Sequence, residues 1–199
     1  DAIKTVSVIG AATALPKFSW ATGDKATLKV GLIGCSGRGI GAVRNMLDAA
    51  KGSVKIVAIA DLFPDRLEGA MKSFAGFESK FDYCKGHFDI PASRQYAGWD
   101  AYKQLLADAD VDIVIHATPP VFRPLHLRAI VEAGKHMFVE KPACVDPTQA
   151  RELYEIADLA DKKGLTVIPG VQRRFHPGYV EAIKRIQDGQ IGDIIAVQA

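Results

Sequence analysis

Small residues follow the first predicted strand at a spacing that suits the binding of a dinucleotide. Within the segment GLIGCSGRGIG, Gly34, Ser36 and Gly39 occupy a G-x-G-x-x-G frame, with serine in the middle position. The first position permits a tight turn, the middle one lets the backbone approach a pyrophosphate, and the last permits close packing of helix on strand. The pyrophosphate would lie on the N–H groups at the start of the following helix. Gly37 and Arg38, in the same turn, are further candidates for cofactor contacts.

A carboxylate at the end of the second predicted strand supports this interpretation. Asp61 closes the segment VKIVAIAD and lies about twenty residues beyond the turn, where an acid would accept hydrogen bonds from the adenosine ribose. A 2′-phosphate within about 4–5 Å of that carboxylate would be repelled by roughly 3–4 kcal/mol per charge at an effective dielectric near 20. This favours NAD as the cofactor. NADP stays open, because Arg38 and Arg66 are close enough in sequence to attract a 2′-phosphate.

From Leu28 onward, short β-branched runs alternate with helical segments. Strands are predicted at 28–34, 54–61, 111–118, 136–141, 165–171 and 191–199, and helices at 42–50, 64–74, 99–107, about a dozen residues ending at 134, 146–163 and 176–189. Strands and helices that alternate at this spacing predict an α/β fold with a Rossmann-type, doubly wound parallel sheet. Residues 76–98 show no clean period, so a long loop with little regular structure is expected there.

The composition gives no support for a nucleic-acid or membrane-surface role. Apolar residues make up 48% of the 199 residues and charged residues 24%, and the formal net charge is only +2. Because lysines and arginines are spread among acids, no basic patch is indicated. Cys35, Cys84 and Cys144 cannot all pair internally and share no short metal-ligand spacing, so we expect free thiols and no metal site.

The first 27 residues are interpreted as an export-signal-like segment or an N-terminal arm. Residues 6–15 form an apolar run too short to span a bilayer as a helix, and Ser19 and Ala21 precede a possible cleavage point. Ahead of the apolar run only Lys4 is basic, so the segment resembles a twin-arginine signal without its arginine pair. The alternative is a buried strand, or an ordered arm on a neighbouring subunit. We therefore expect a periplasmic or otherwise exported protein without a membrane span, and a cytoplasmic location is the alternative.

The segment AGKHMFVEKP adds chemistry to the nucleotide-binding pattern. Glu140-Lys141-Pro142 at a strand end, together with the glycine turn, Asp61 and the strand end at 117–120, resembles the Gfo/Idh/MocA oxidoreductases. That family is named after glucose–fructose oxidoreductase, inositol dehydrogenase and rhizopine catabolism. The resemblance covers roughly residues 28–199. It implies hydride transfer between a sugar or polyol hydroxyl and a nicotinamide cofactor.

The resemblance also implies roles for individual residues. Lys141 would be catalytic, because it would hydrogen-bond the substrate hydroxyl at the carbon that loses its hydride, and would stabilise the developing alkoxide or act in the proton relay. Glu140 would help to hold the nicotinamide ribose, and Pro142 would set the turn through a cis bond. The other implied contacts are Thr118, Pro119 and Gln172 with the cofactor, and Arg173, Arg174 and His176 with the substrate. The last two, Arg174 and His176, could instead cap the following helix.

The strand pattern predicts the position of several of these residues independently. Asp61, Thr118, Lys141 and Gln172 stand at the carboxyl ends of predicted parallel strands, where open α/β sheets bind ligands. Arg123 departs from the family, which usually has a histidine at this place after the strand-end turn.

Four ring side chains have structural interpretations. His116 lies within an apolar strand and is expected to be a satisfied core residue, and His126 is expected to occupy one helix face without a catalytic role. Trp99 and Tyr102 could wall a cleft, but packing is the favoured interpretation.

The implied organisation has three parts: the segment 1–27, an NAD(P)-binding Rossmann domain at 28–172, and the beginning of an α+β substrate and oligomerisation domain at 173–199. The family's catalytic aspartate and histidine come from that second domain. We therefore expect this chain to be the front part of a longer polypeptide that forms homo-oligomers. Two alternatives to a dehydrogenase remain. One is a glycosidase of the same family type, in which bound NAD oxidises the sugar transiently, and the other is a non-catalytic, nucleotide-binding sensor.

Overall fold

A six-stranded parallel sheet forms the centre of the computed structural model, which describes residues 27–108 and 110–198. Its strands are β1 (Leu28–Ile33), β2 (Val54–Asp61), β3 (Gln95–Ala97), β4 (Ile113–His116), β5 (His136–Val139) and β6 (Val167–Pro169). They lie in the order β3-β2-β1-β4-β5-β6, and every neighbouring pair is parallel. This is the strand order of a doubly wound Rossmann sheet, so the predicted fold class is confirmed.

Helices cover both faces of the sheet, each over its own hydrophobic cluster. One face packs against α1 (Gly37–Ala50) and α2 (Pro64–Lys80). The other face packs against α3 (Ala101–Ala107), α4 (Arg123–Glu132) and α5 (Pro147–Lys162). The last helix, α6 (Pro177–Gln187), follows β6. Parallel strands covered on both faces bury nearly all their side chains. Val30 and Leu32 in β1 and Ile56 in β2 are fully buried, which accounts for the continuous apolar runs in the sequence.

The ends of the helices follow from residues that start or stop a helix. Pro64 and Pro147 occupy the first turns of α2 and α5, where a missing N–H costs no hydrogen bond. Asp146 caps α5, because its Oδ1 accepts a hydrogen bond from the backbone N of Gln149 at 2.8 Å. Gly134 has φ +71° just beyond α4, the left-handed conformation that ends helices, as predicted.

The predicted loop over residues 76–98 is wrong over much of its length. The helix α2 continues through Lys80, and two short 3₁₀ turns and the edge strand β3 follow it. Core contacts hold this segment: Ile90 is buried, and Phe88 stacks on Phe74 with ring centroids 4.6 Å apart. Because its apolar residues pack at irregular intervals along the chain, no local period in the sequence indicates this structure.

Several other boundaries shift, and the last predicted strand is wrong. The helix α1 begins at Gly37 rather than at residue 42, α3 begins at Ala101 rather than 99, and β4, β5 and β6 are shorter than predicted. Residues 194–198 are exposed and form no strand. A strand needs a hydrogen-bonded neighbour, and the sheet in the described part of the chain ends at β6.

Residues 1–26, on which the export-signal prediction rests, lie outside the described residues. Within 27–108 and 110–198, no helix combines the length and the apolar character needed to cross a bilayer. Cys35, Cys84 and Cys144 are free thiols, as predicted.

Two glycine-to-alanine variants in the first turn of α1 should differ in stability. A Cβ on Gly39 would lie 2.0 Å from the carbonyl oxygen of Gly34, whereas a Cβ on Gly37 would meet no atom within 4 Å. Gly39→Ala should therefore lower the free energy of unfolding by about 1–3 kcal/mol through overpacking. Gly37→Ala should leave it unchanged or raise it by up to about 1 kcal/mol. Urea denaturation followed by circular dichroism measures both, and equal stability of the two variants would contradict the close contact.

Candidate dinucleotide-binding site

A cleft of about 400 Å³ opens at the carboxyl ends of β1, β2 and β4. The strand order reverses between β1 and β4, so the cleft lies at the switch point where open α/β sheets bind ligands. The structure brings five predicted site residues together as its lining: Gly34, Ser36, Asp61, Thr118 and Pro119. The other predicted cofactor residues lie outside the lining: Gly37, Arg38, Gly39, Glu140 and Gln172.

The turn between β1 and α1 depends on two glycines at close contacts. Gly34 has φ +99°, and a Cβ there would lie 2.8 Å from backbone atoms of Ala117 and Thr118. A Cβ on Gly39 would lie even closer to the carbonyl oxygen of Gly34, at 2.0 Å. The turn therefore packs against the end of β4 on one side and against α1 on the other. These contacts fix the start of α1 at the cleft.

The start of α1 is suited to hold an anion. The first N–H groups of a helix have no acceptor within the helix, and the helix dipole adds partial positive charge there. No acidic residue occupies the first turn of α1, and the exposed hydroxyl of Ser36 makes no capping hydrogen bond. This hydroxyl and the N–H groups that follow it can therefore donate to the oxygens of a phosphate.

Asp61 is oriented by the backbone around the cleft. Its Oδ2 accepts a hydrogen bond from Cys35 N at 2.7 Å, and its Oδ1 accepts one from Phe63 N at 3.1 Å. Because each carboxylate oxygen can accept a second hydrogen bond, Asp61 can still accept from the hydroxyls of a ribose. Burial, and secondly the charge of Asp61, raises the pKa of the Cys35 thiol far above its usual range, so this thiol stays protonated.

An ion pair joins the glycine turn to the end of β5. Arg38 Nη2 and Nε lie 2.5 and 2.7 Å from Glu140 Oε1, although the two residues are 102 positions apart. Glu140 is only 3% exposed, and a Cβ on Gly170 would lie 3.1 Å from its Oε1, so the glycine after β6 leaves room for the carboxylate. The sequence predicts cofactor contacts for both Arg38 and Glu140, which stay predictions. No local signal indicates that they pair with each other.

Lys141 and Pro142 follow Glu140 in a segment that contacts Arg123. The Lys141–Pro142 peptide bond is cis, as the family resemblance implies, and the side chain of Lys141 is exposed. Arg123 is buried, and its guanidinium donates to the carbonyl oxygens of Thr118, Glu140 and Pro142. Burial lowers the pKa of Arg123 from its ordinary value, and the charge of Glu140 opposes that effect.

Two histidines meet beside the cleft. His116 Nε2 lies 3.1 Å from His126 Nδ1 and 3.0 Å from Thr118 Oγ1. His116 is fully buried in β4, and its Nδ1 has no hydrogen-bond partner among the described residues. The prediction of a satisfied core histidine is therefore wrong in part, because only one of its ring nitrogens reaches a polar neighbour. Desolvation lowers the pKa of His116 well below its usual range and that of His126 to about 4, so both are neutral near pH 7.

Ring side chains form one wall of the cleft. Tyr102 is buried and contacts His126 with ring centroids 4.2 Å apart, while Trp99 is 72% exposed and meets Phe122 with centroids 6.2 Å apart. All four line the cleft. Tyr102 packs in the core, as predicted, and also walls the cleft, which is the alternative interpretation. The packing prediction is wrong for Trp99, which stands at the rim because it follows β3 at the carboxyl edge of the sheet.

Gln172, predicted to contact the cofactor, and the residues predicted to contact the substrate lie after β6. Gln172, Arg173 and Arg174 belong to a short exposed 3₁₀ helix, Gln172–Phe175. His176 Nδ1 accepts a hydrogen bond from Gly178 N at 3.1 Å, so this histidine caps α6, which is one of the two interpretations of the sequence. None of these residues lines the cleft beside Asp61, and their contacts with substrate or cofactor stay predictions.

Comparison with known proteins assigns this geometry to a family. A family model described as an oxidoreductase family with an NAD-binding Rossmann fold, Gfo/Idh/MocA, matches residues 28–171. The chain is 28% identical over 171 residues to inositol 2-dehydrogenase of Salmonella typhimurium, which covers 86% of this chain and 45% of that relative. It is also 28% identical over 169 residues to a glycosyl hydrolase family 109 protein of Streptomyces coelicolor, covering 84% of this chain and 32% of that relative. The chain thus spans less than half the length of these curated relatives.

A solved structure has a similar fold. The crystal structure of KijD10, a 3-ketoreductase from Actinomadura kijaniata in complex with TDP-benzene and NADP, matches with a TM-score of 0.59 at 27% identity. The match covers 84% of this chain and 45% of that chain.

The histidine pair predicts that acid destabilises the fold. The pKa of His126 is about 4 in the folded chain, against an ordinary value of 6.5, so between these values the unfolded state binds the additional proton. Stability from this group is therefore fully present above pH 6.5 and is lost as the pH falls toward 4. For His126 alone, the free energy of unfolding should fall by about 2 kcal/mol between pH 7 and pH 5. Urea denaturation at a series of pH values measures this loss.

A matched pair of variants isolates the effect. His126→Gln should remove the contribution of His126 to the pH dependence of the free energy of unfolding. His176→Gln, which replaces an exposed histidine outside the pair, should keep the full pH dependence of that free energy. If His126→Gln and the unsubstituted protein lost stability equally on acidification, the neutral imidazole at this position would be refuted.

Proposed function

Because the chain belongs to the Gfo/Idh/MocA oxidoreductase family, we propose that it binds a nicotinamide dinucleotide and serves hydride transfer between this cofactor and the hydroxyl-bearing carbon of a sugar or polyol. The observation that carries the proposal is the cleft at the switch point, where the glycine turn, the start of α1 and Asp61 meet. The activities named for two similar proteins, an inositol 2-dehydrogenase and a 3-ketoreductase, support this class of reaction.

The residues around the cleft fit such a cofactor. The close contacts at Gly34 and Gly39 keep side chains out of the turn, and the first turn of α1 carries no acid that would repel a phosphate. When bound, the nicotinamide supplies a two-electron acceptor or donor of hydride. Ser36 and the N–H groups of α1 would hold the pyrophosphate, and Asp61 would accept hydrogen bonds from the adenosine ribose. Thr118 would border the cofactor at the end of β4.

Lys141 is the residue that we propose to carry the proton chemistry of this chain. It follows β5 at the carboxyl edge of the sheet, and its side chain is exposed. The ammonium group would donate a hydrogen bond to the substrate hydroxyl and stabilise the negative charge that develops on that oxygen. Gln172 and Arg173 follow β6, the neighbour of β5, and would contact the cofactor and the substrate from the same edge.

The cofactor is proposed to be NAD, with NADP as the alternative. Asp61 would repel a 2′-phosphate, whereas Arg66 lines the same cleft and would attract one. Arg38 is less suited to attract a phosphate, because its guanidinium is paired with Glu140.

A glycosidase of the same family type is the second candidate. The observation in its favour is the similarity to a glycosyl hydrolase family 109 protein over 84% of this chain. In that case the sugar would be oxidised transiently and then restored, so a glycosidic bond would be broken without net production of NADH.

Export and assembly into homo-oligomers extend the proposal to the whole protein. If the protein is exported, it should carry its dinucleotide in the folded state, because a periplasm offers no supply of free NAD. Cell fractionation tests export, and chromatography of any nucleotide released on denaturation tests whether the exported protein retains its dinucleotide. Light scattering tests the formation of homo-oligomers.

Replacing Lys141 should slow hydride transfer strongly and leave nucleotide binding nearly unchanged. In the whole protein, with myo-inositol and NAD as the probe pair, Lys141→Ala should lower kcat by about 10²–10⁴-fold, the usual contribution of a proton-transfer residue. The dissociation constant for NAD should stay within about twofold, because Lys141 lies outside the lining of the cleft. NADH absorbance and calorimetry measure the two quantities. Lys103→Ala, which changes another exposed lysine, is the control, and equal turnover in the two variants would refute the proposed role.

Substitutions at Asp61 and Arg66 should change the cofactor preference in opposite directions. Asp61→Asn should raise the affinity for NADP relative to NAD by about 10–100-fold, because it removes the charge that repels the 2′-phosphate. Arg66→Ala should lower the affinity for NADP by about 3–10-fold and leave the affinity for NAD unchanged. Calorimetric titration with both dinucleotides measures the ratio. Arg128→Ala, at an exposed arginine paired with Glu155, is the control, and a constant ratio across all variants would contradict this assignment.

A further inference from the structure

Arg123 is a buried cation whose hydrogen bonds go to backbone carbonyls. It begins α4, is 4% exposed, and stands where the family resemblance leads us to expect a histidine. Its Nε and Nη2 donate to the carbonyl oxygen of Thr118 at 3.2 and 2.9 Å, and its Nη1 donates to the carbonyl oxygens of Glu140 and Pro142. These bonds join the end of β4 to the segment that follows β5.

Two of these carbonyl groups flank Lys141. Glu140 is held a second time, because its carboxylate pairs with Arg38. The backbone is therefore fixed on both sides of Lys141, while the lysine side chain itself is exposed. A long exposed side chain samples many rotamers, so the region that its ammonium reaches depends first on where the backbone is fixed.

The guanidinium is the group that suits these contacts. It presents five N–H donors in a rigid plane, so it can bind carbonyl groups of two loops at once. A lysine at the same place would offer one compact ammonium on a flexible stem, and a glutamine would offer a shorter amide with two N–H donors. A glutamine has too few donors for the bonds to Thr118, Glu140 and Pro142 together. A lysine would have to bring its single nitrogen within reach of three carbonyl oxygens that Arg123 reaches from three separate nitrogens.

We propose that Arg123 is the positioning residue for Lys141: it fixes the 140–142 segment against the end of β4 and so places the lysine ammonium at the carboxyl edge of the sheet. The inference rests on the proposed function, in which that ammonium contacts the substrate hydroxyl. It assigns a task to the residue by which this chain departs from the family pattern.

Amide hydrogen exchange read by mass spectrometry tests the placement without any cofactor or substrate. Arg123→Lys should speed exchange about tenfold or more in peptides covering 117–122 and 139–144, and leave the peptide of β2 unchanged. Arg128→Lys, on the same helix but pointing to the exposed pair with Glu155, should change neither region. Unchanged exchange in the two peptides, or an equal rise throughout the sheet, would overturn the proposal.

A lysine-specific signal provides a second measurement. Reductive methylation with ¹³C-formaldehyde gives each lysine an NMR signal, and that of Lys141 is identified by its loss in Lys141→Arg. Arg123→Gln, which adds no lysine and serves also if Arg123→Lys does not fold, should shift and narrow the Lys141 signal. The signal of Lys103 should stay in place. A Lys141 signal that does not move would speak against positioning by Arg123.

The kinetic link is measured by a double-mutant cycle in the assay that detects the loss in Lys141→Ala. Arg123→Gln should lower kcat by about 10–100-fold, keep the dissociation constant for NAD within about twofold, and add no further loss in the Lys141→Ala background. Additive losses would show that Arg123 does not act through Lys141. If Lys141→Ala kept full turnover, the proposed function would fail at Lys141 and the positioning role with it, whereas unchanged exchange in Arg123→Lys overturns the role of Arg123 alone.

Discussion

The contact between the glycine turn and the end of β4 is the constraint on which the rest of the site depends. A side chain at Gly34 would collide with the backbone of Ala117 and Thr118, and a side chain at Gly39 would collide with Gly34 itself. Because no side chain intervenes, α1 starts directly at the switch point of the sheet. The same close packing brings the N–H of Cys35 to the carboxylate of Asp61. Steric fit and hydrogen bonding therefore fix the same point of the backbone, and the cleft results from both.

Two arginines extend this arrangement across the carboxyl edge. A buried carboxylate such as Glu140 is costly to desolvate unless it is paired, and Arg38 from the glycine turn provides that pairing. Arg123 makes a similar connection through the backbone, because it donates to carbonyl oxygens at the ends of both β4 and β5. The turn after β1 and the ends of β4 and β5 are thus joined by long-range polar contacts, and none of the three segments is positioned by its own sequence alone.

This division between local and long-range causes also explains what the sequence can predict. The glycine frame, Asp61 and the apolar strands are local patterns. The fold class derived from them is confirmed, and Gly34, Ser36 and Asp61 line the cleft, while their contacts with a cofactor stay predictions. The pairing of Arg38 with Glu140 joins residues 102 positions apart, so no spacing in the sequence indicates it. The stacking of Phe88 on Phe74 escapes for the same reason, which is why the segment at 76–98 is mistaken for a loop. The open Nδ1 of His116 depends on the neighbours that burial selects, and these are known only from the structure.

In the proposed binding mode, Asp61 would join the choice of cofactor to the fold. Its two oxygens accept hydrogen bonds from Cys35 N and Phe63 N, so the carboxylate that would repel a 2′-phosphate also ties the turn after β1 to the start of α2. A substitution that removes the charge also weakens that connection. Arg66 lines the same cleft, but its nearest acidic neighbour is the exposed Asp65, with 3.8 Å between the charged groups, and its side chain is 56% exposed. Attraction of a 2′-phosphate by Arg66 would therefore disturb the fold less than removal of the Asp61 carboxylate would.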